Sequence, residues 1–199
     1  MRCVPSLVSP AIAVGSLSES AQPSISVSAE ATLRPWMPRD APALVAAYAD
    51  PAIQRWHVKR MDSTDEASGW IDRWRSYWTD ETEAHWALVS SSDELLGRMA
   101  LKGLNLEDGK AGLAYWIVAN ARGRGLCTKA ALSLSNWAFQ EHGFHRIGLE
   151  HSVANTASCR VAVKAGFRAE GTRRGAGFHA DGWHDMHLHG RLSDDEASL

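Results

Sequence analysis

Arg122-Gly123-Arg124-Gly125-Leu126-Cys127-Thr128-Lys129 is the stretch on which the reading of this chain turns. It follows an apolar run, Gly112-Leu113-Ala114-Tyr115-Trp116-Ile117-Val118, of the kind that forms a strand covered on both faces. It opens a segment whose apolar positions Leu126, Ala130, Leu134, Trp137 and Ala138 recur at helical spacing to about His142, with Gly143 as the stop. A strand that ends in such a turn and runs straight into a helix aims free backbone N–H groups, and the positive end of the helix dipole, at one point. That geometry binds phosphate. Gly123 and Gly125 let the backbone approach an anion closely, while Arg122 and Arg124 add charge-assisted hydrogen bonds. An ordinary capped turn is the alternative.

Two other phosphate loops do not fit. A Walker loop ends in Gly-Lys-Ser/Thr, and Thr128-Lys129-Ala130 fails on both sides of the lysine. A dinucleotide fingerprint needs a third glycine where Thr128 stands and an acidic residue about 20 positions on. Glu150 comes too late, and the remaining chain is too short for more βα units.

Upstream, Ala31 to Pro35 reads as an edge strand. Pro38-Arg39-Asp40 caps an Ala-rich helix from about Ala41 to Ala49, which Asp50-Pro51 stops. Ser63-Thr64-Asp65-Glu66 resembles a capping box for a second helix to about Trp78. Alternating strands follow at His85 to Ser90 and Leu95 to Leu104. Downstream come a strand from Arg146 to His151, a helix from about Thr156 to Ala165 closed by Gly166, and a hairpin around Asp181-Gly182.

The chain has 199 residues, 45% hydrophobic and 22% charged, enough for one substantial core. A formal charge of −2 and a pI near 6.5 argue against nucleic acid or an anionic membrane as partner. No run approaches the ~18 apolar residues of a membrane span. Cys3, Cys127 and Cys159 show no CxxC spacing, so neither a disulfide framework nor a cysteine zinc site is suggested, and a reducing cytoplasm fits best. Residues 1–29 imitate a secretory signal, but Pro10 breaks a short apolar run and only Arg2 precedes it. They are expected to be a disordered extension. One domain is expected over residues 30–192, followed by an acidic tail at 193–199.

Arg122-x-x-Gly125-x-Cys127 resembles the pyrophosphate-binding signature of the GNAT superfamily of N-acetyltransferases, Gln/Arg-x-x-Gly-x-Gly/Ala, with Cys127 as a departure. Asn155-Thr-Ala-Ser158, then Lys164-Ala-Gly166-Phe167 and Glu170-Gly171, resemble the second family block. The spacing and the order of elements from Leu33 to about Leu192 also match, and the similarity points to the RimJ/RimL-like branch. The resemblance implies a mixed α/β fold: a mostly antiparallel sheet, splayed between its fourth strand (Gly112 to Val118) and its fifth (Arg146 to His151), with helices on both faces.

It further implies acetyl transfer from acetyl-coenzyme A to a primary amine, on a small molecule or a protein N-terminus, within a ternary complex. Arg122, Gly123, Arg124, Gly125, Leu126, Cys127 and Thr128 would grip the pyrophosphate. The backbone of Trp116, Ile117 and Val118 would pair with the pantetheine arm, and an N–H near Val118 would polarise the thioester carbonyl. Cys127, in the phosphate turn, is not expected to carry the acyl group. A module that binds acyl-coenzyme A without turnover is the rival reading. The chain is expected to act as a monomer or homodimer.

A protonated alkylamine must lose its proton before attack. Glu150 is the leading base, with His151, His85 and Glu107 as alternatives, and a strand-end salt bridge is the structural explanation for Glu150. Many relatives protonate the departing thiolate with a tyrosine seven residues after the asparagine, where this chain has Ala162. Ser158, one helical turn earlier, is the substitute acid or else supports the helix start. Asn155 orients the pantetheine or the helix end.

Trp70, Trp74 and Trp78 form a helical stripe, read mainly as core. Expected acceptor contacts are Trp56, His57, Arg60, Trp74 and His85, and with Lys59 they favour a carboxylate-bearing acceptor. His187 and His189 share a strand face, and His179 and His184 lie nearby. No helical ligand pair supports a metal, so strand-surface or acceptor-facing histidines are expected.

Overall fold

A computed structural model describes residues 7–195. Eight strands form one sheet: β1 (Ile25–Ser28), β2 (Ala31–Pro35), β3 (Glu83–Ser90), β4 (Leu95–Asn105), β5 (Lys110–Ile117), β6 (Arg146–Ser152), β7 (Arg168–His179) and β8 (Gly182–Leu192). Five helices accompany them: α1 (Ala41–Tyr48), α2 (Pro51–His57), α3 (Thr64–Thr79), α4 (Leu126–His142) and α5 (Thr156–Lys164). The spatial order is β1-β2-β3-β4-β5-β6-β8-β7. Neighbours are antiparallel except β5 and β6.

The alternation of side chains along a strand explains why helices cover both faces. On β3, Trp86 and Leu88 join a core with Leu134 and Ala138 of α4, whereas Ala87 and Val89 join a second core with Leu44 of α1 and Ile71 and Trp74 of α3. At the centre, β5 and β6 pair in parallel only at Lys110–Arg146, Ala111–Ile147 and Gly112–Gly148. Beyond that point they separate, as expected for the fourth and fifth strands of the sequence reading. The extra strand β1 shifts their numbers to five and six.

Three expectations need correction. Of the supposed extension, residues 11–28 pack on the domain, while Leu7 and Val8 are exposed. Ile12 and Leu17 are buried, and the Glu81 carboxylate accepts from the backbone N–H groups of Gly15, Leu17 and Ser18 at 2.6, 2.8 and 3.0 Å. The indole N–H groups of Trp78 and Trp86 donate to the carbonyls of Ser20 and Pro23. Composition averages over the tract and misses that a few well-placed groups anchor it. Residues 1–6, including Cys3, and 196–199 of the expected tail lie outside the described residues. Asp195 is tied down by the Leu192 N–H and by Arg168.

Second, Asp50-Pro51 ends one helix and starts another. Asp50 Oδ1 accepts from the Ala52 N–H at 2.8 Å and Pro51 takes the first position of α2, where its missing N–H is no loss. Third, Asp40 does not cap α1 through its side chain. Its carboxylate pairs with both terminal nitrogens of buried Arg34 at 2.7 and 2.8 Å.

Candidate active site

The separation of β5 from β6 opens a cleft of about 710 Å³, lined by both strands, by α2, by the bend before α4 and by the start of α5. Gly123 and Gly125 adopt φ of +77° and +73°. A Cβ at either position would meet nothing within 4 Å, so the backbone conformation, not crowding, calls for glycine. Gly125 caps α4, and the first N–H to reach back into the helix is that of Lys129, 3.1 Å from the Gly125 carbonyl. The amides of Leu126, Cys127 and Thr128 therefore have no acceptor within the helix, and all three residues line the cleft. Helix dipole and free amides converge there in the geometry that suits an anion. The Cys127 thiol is pushed far up by burial, which keeps it protonated and unreactive.

The arginines of the bend divide. Arg122 lines the cleft and joins two elements, its Nε donating to the Ile117 carbonyl at 3.0 Å and its Nη2 pairing with Asp50 at the start of α2. Arg124, expected on the phosphate, instead pairs with exposed Glu30 at 3.3 Å and is not among the cleft-lining residues. Val118 also departs from expectation. Its N–H donates to the Leu96 carbonyl at 3.0 Å and it lies outside the cleft lining. Alternation along the ladder then turns the peptide groups of Tyr115 and Ile117 toward the gap. Their carbonyls, held by His57 and Arg122, agree with that direction. Of the expected strand residues, Trp116 and Ile117 line the cleft, and the buried Trp116 ring packs against Trp36 and Tyr48.

Across the gap, Asn155 caps α5, its Oδ1 accepting from the Ser158 N–H at 3.1 Å. The Ser158 hydroxyl is buried and sits 2.7 Å from the Tyr115 hydroxyl. Burial raises the Tyr115 phenol well above its ordinary range, so it keeps its proton. The sequence reading missed Tyr115. Its signal is a polar tip inside an apolar strand, which a buried tyrosine must satisfy with a partner.

Among the expected bases, Glu150 lines the cleft and is ion-paired with Arg173. His151 lines it too, but its Nδ1 lies 2.8 Å from the Ser152 carbonyl and its Nε2 3.2 Å from His189. His85 and Glu107 are outside the lining. Buried His85 accepts from Arg98 through Nδ1 and faces Glu83 at 2.7 Å through Nε2, stacked under Trp74 at 5.1 Å. Burial lowers its pKa to about 4. Trp74 and His85 thus belong to the core, not to an acceptor wall. Arg60 is likewise exposed and paired with Asp62 at 2.8 Å.

Trp56 and His57 do reach the cleft, carried by α2, the helix the sequence reading lacked. His57 Nε2 lies 3.2 Å from the Tyr115 carbonyl, which can only accept, so Nε2 carries the hydrogen and Nδ1 the lone pair. Burial, reinforced by Arg98, lowers its pKa to about 4. Trp56 meets the rings of His179 and His184 edge-on at 5.5 and 6.2 Å. His187 and His189 turn elsewhere, toward His151 and Cys159.

Residues 30–168 match the family described as "Acetyltransferase (GNAT) domain". The chain is 24% identical over 144 residues to the uncharacterized N-acetyltransferase YoaA of Bacillus subtilis (strain 168), covering 71% of this chain and 81% of that one. It is 27% identical over 109 residues to the ribosomal-protein-serine acetyltransferase of Escherichia coli (strain K12), covering 55% and 61% respectively. In structure it resembles RimL, the ribosomal L7/L12 alpha-N-protein acetyltransferase solved in complex with coenzyme A. The TM-score is 0.81 at 19% identity, over 87% of this chain and all of that one (100%). The chain belongs to the GNAT acetyltransferase family and is an acyltransferase. No helix among the described residues is long and apolar enough to cross a membrane.

Proposed function

We propose that the protein transfers the acetyl group of acetyl-coenzyme A to the α-amino group of a protein N-terminus, directly and without an acyl-enzyme. The observation that carries this is the cleft itself. One end offers three unshared amides at a helix N-terminus, and the middle offers the outward peptide groups of Tyr115 and Ile117. The far wall carries the Tyr115–Ser158 hydroxyl pair. The bend suits a diphosphate and the open edge of β5 suits an amide-bearing arm. When bound, the thioester supplies the activated acetyl group.

The chain's own residues do the rest. The phenol of Tyr115 donates to Ser158 Oγ and turns the serine O–H into the cleft, where it can protonate a departing thiolate. Asn155 holds the helix end that carries Ser158. Glu150 takes the amine proton at the cleft rim through water, and Trp56 and His57 wall the acceptor. An α-amine, with a pKa near 8, gives up its proton more readily than a lysine-like amine near 10.4, which favours it as the acceptor. The Escherichia coli relative is named for a protein acceptor.

The test is a mass-spectrometric transfer assay with acetyl-coenzyme A, a panel of peptides of differing N-terminal residue, and free diamines. Acetylation confined to peptide N-termini is expected. Acetylated diamines with untouched peptides would overturn the acceptor reading.

A further inference from the structure

Beside the cleft, three elements bring four metal-ligating side chains together: His151 from the end of β6, His187 and His189 from β8, and Cys159 from the first turn of α5. One ligand atom from each lies within 4.8 Å of all the others. The sheet register explains the convergence. His151 stands opposite His187, and His189 lies two residues along on the same face. His151 and His189 are buried, while His187 and Cys159 are half-buried.

The hydrogen-bond pattern is unusual for histidines packed on their own. The Ser152 carbonyl, 2.8 Å from His151 Nδ1, can only accept, so that nitrogen carries the hydrogen and Nε2 presents a lone pair. That lone pair faces His189 Nε2 at 3.2 Å. Two neutral rings can satisfy this contact only if His189 protonates Nε2, which leaves its buried Nδ1 a bare acceptor; that Nδ1 has no partner. A cation between the two Nε2 atoms lets both rings turn a lone pair to it. A carbonyl behind the ring, fixing the tautomer, is the usual support of a ligating histidine. The 3.2 Å separation also matches the ~3.3 Å ligand edge of a tetrahedral site with Zn–N bonds of about 2.0–2.1 Å.

We propose that His151, Cys159, His187 and His189 bind one Zn2+ ion in a four-coordinate site. Three imidazoles and one thiolate are a zinc donor set, and four protein ligands make the site structural. Binding displaces the Cys159 thiol proton to solvent. The ion fastens α5 to β6 and β8, and because Cys159 follows Ser158 it fixes the serine hydroxyl against Tyr115. The site stands independently of the acetyl-transfer reading.

The full chain, stripped with a chelator, is titrated with Zn2+ against a chromophoric competitor, and separately with Co2+, whose thiolate charge-transfer band reports sulfur ligation. About one Zn2+ per chain, a Co2+–thiolate band and a raised unfolding temperature with Zn2+ are expected. Cys159→Ser should abolish the band, and it and His189→Gln should each weaken Zn2+ binding about tenfold or more. Should either variant fail to fold, the wild-type stoichiometry and band decide alone. A wild-type chain that takes up no Zn2+ or shows no thiolate band overturns the site, as does uptake undiminished in both variants.

Discussion

The Tyr115 hydroxyl lies 2.7 Å from Ser158 Oγ, joining β5 to α5 across the gap where the sheet opens. One side chain comes from the strand that ends in the glycine bend, the other from the first turn of the helix capped by Asn155. Ala162 stands where the family resemblance implied a tyrosine, and here a phenol arrives from another element.

Ser158→Ala is expected to lower kcat about tenfold or more with little change in KM for acetyl-coenzyme A. Tyr115→Phe should lose less, and the double variant should be no worse than Ser158→Ala, because the two hydroxyls act as a unit. Single-turnover rates of the three variants check this, and additive losses would separate the two residues.

For Glu150→Gln the acidic limb of the pH–rate profile should move or vanish, since a carboxylate no longer takes the proton. The same profile measured on His57→Gln serves as comparison, because His57 lines the cleft and keeps its lone pair on Nδ1. A profile altered by His57→Gln and unaltered by Glu150→Gln would transfer the role of base to the histidine.

Gly125→Ala places a Cβ on a backbone at φ +73°, a conformation that disfavours it by roughly 1–2 kcal/mol. Weaker coenzyme A binding is expected as the bend relaxes, with a loss of global stability of no more than that amount. Calorimetric titration beside thermal unfolding separates the two effects.

Acid should weaken the fold before carboxylates titrate. His57 and His85 are held neutral, each with its pKa lowered from 6.5 to about 4. The unfolded chain therefore binds protons first. Stability is full above pH 6.5 and is lost as the pH falls from 6.5 toward 4, by roughly 3 kcal/mol per histidine at most. Denaturant midpoints at pH 7.5 and 5 measure the drop, which His85→Gln should reduce.

Glu81 anchors residues 15–18 through three backbone N–H groups. Burial works against its charge, yet those donors hold its carboxyl below the ordinary range. Glu81→Ala is expected to cost roughly 2–4 kcal/mol and to speed amide exchange at Gly15, Leu17 and Ser18.

How much of this could be read from the chain follows from which signals are local. The run Gly112 to Val118, the glycines at 123 and 125 and the apolar spacing of α4 are local, and they placed the bend, whereas the opening of the sheet was implied by the family resemblance. The Tyr115–Ser158 pair depends on residues 43 positions apart, which no period reveals. The same is true of His151 and Cys159 meeting His187 and His189. Asp50-Pro51 is ambiguous because the residues that stop one helix also start the next. Trp74 and His85 resembled a pocket wall, but the helical stripe of α3 and the period of β3 bring them together in the core beside Arg98.

A crystal structure with coenzyme A bound tests the central claim most directly. The diphosphate should accept from the amides of Leu126, Cys127 and Thr128, with the pantetheine arm lying between β5 and β6 beyond Gly112. A ligand seated elsewhere, or strands closed on each other past Gly148 with the bend unvisited, would contradict it.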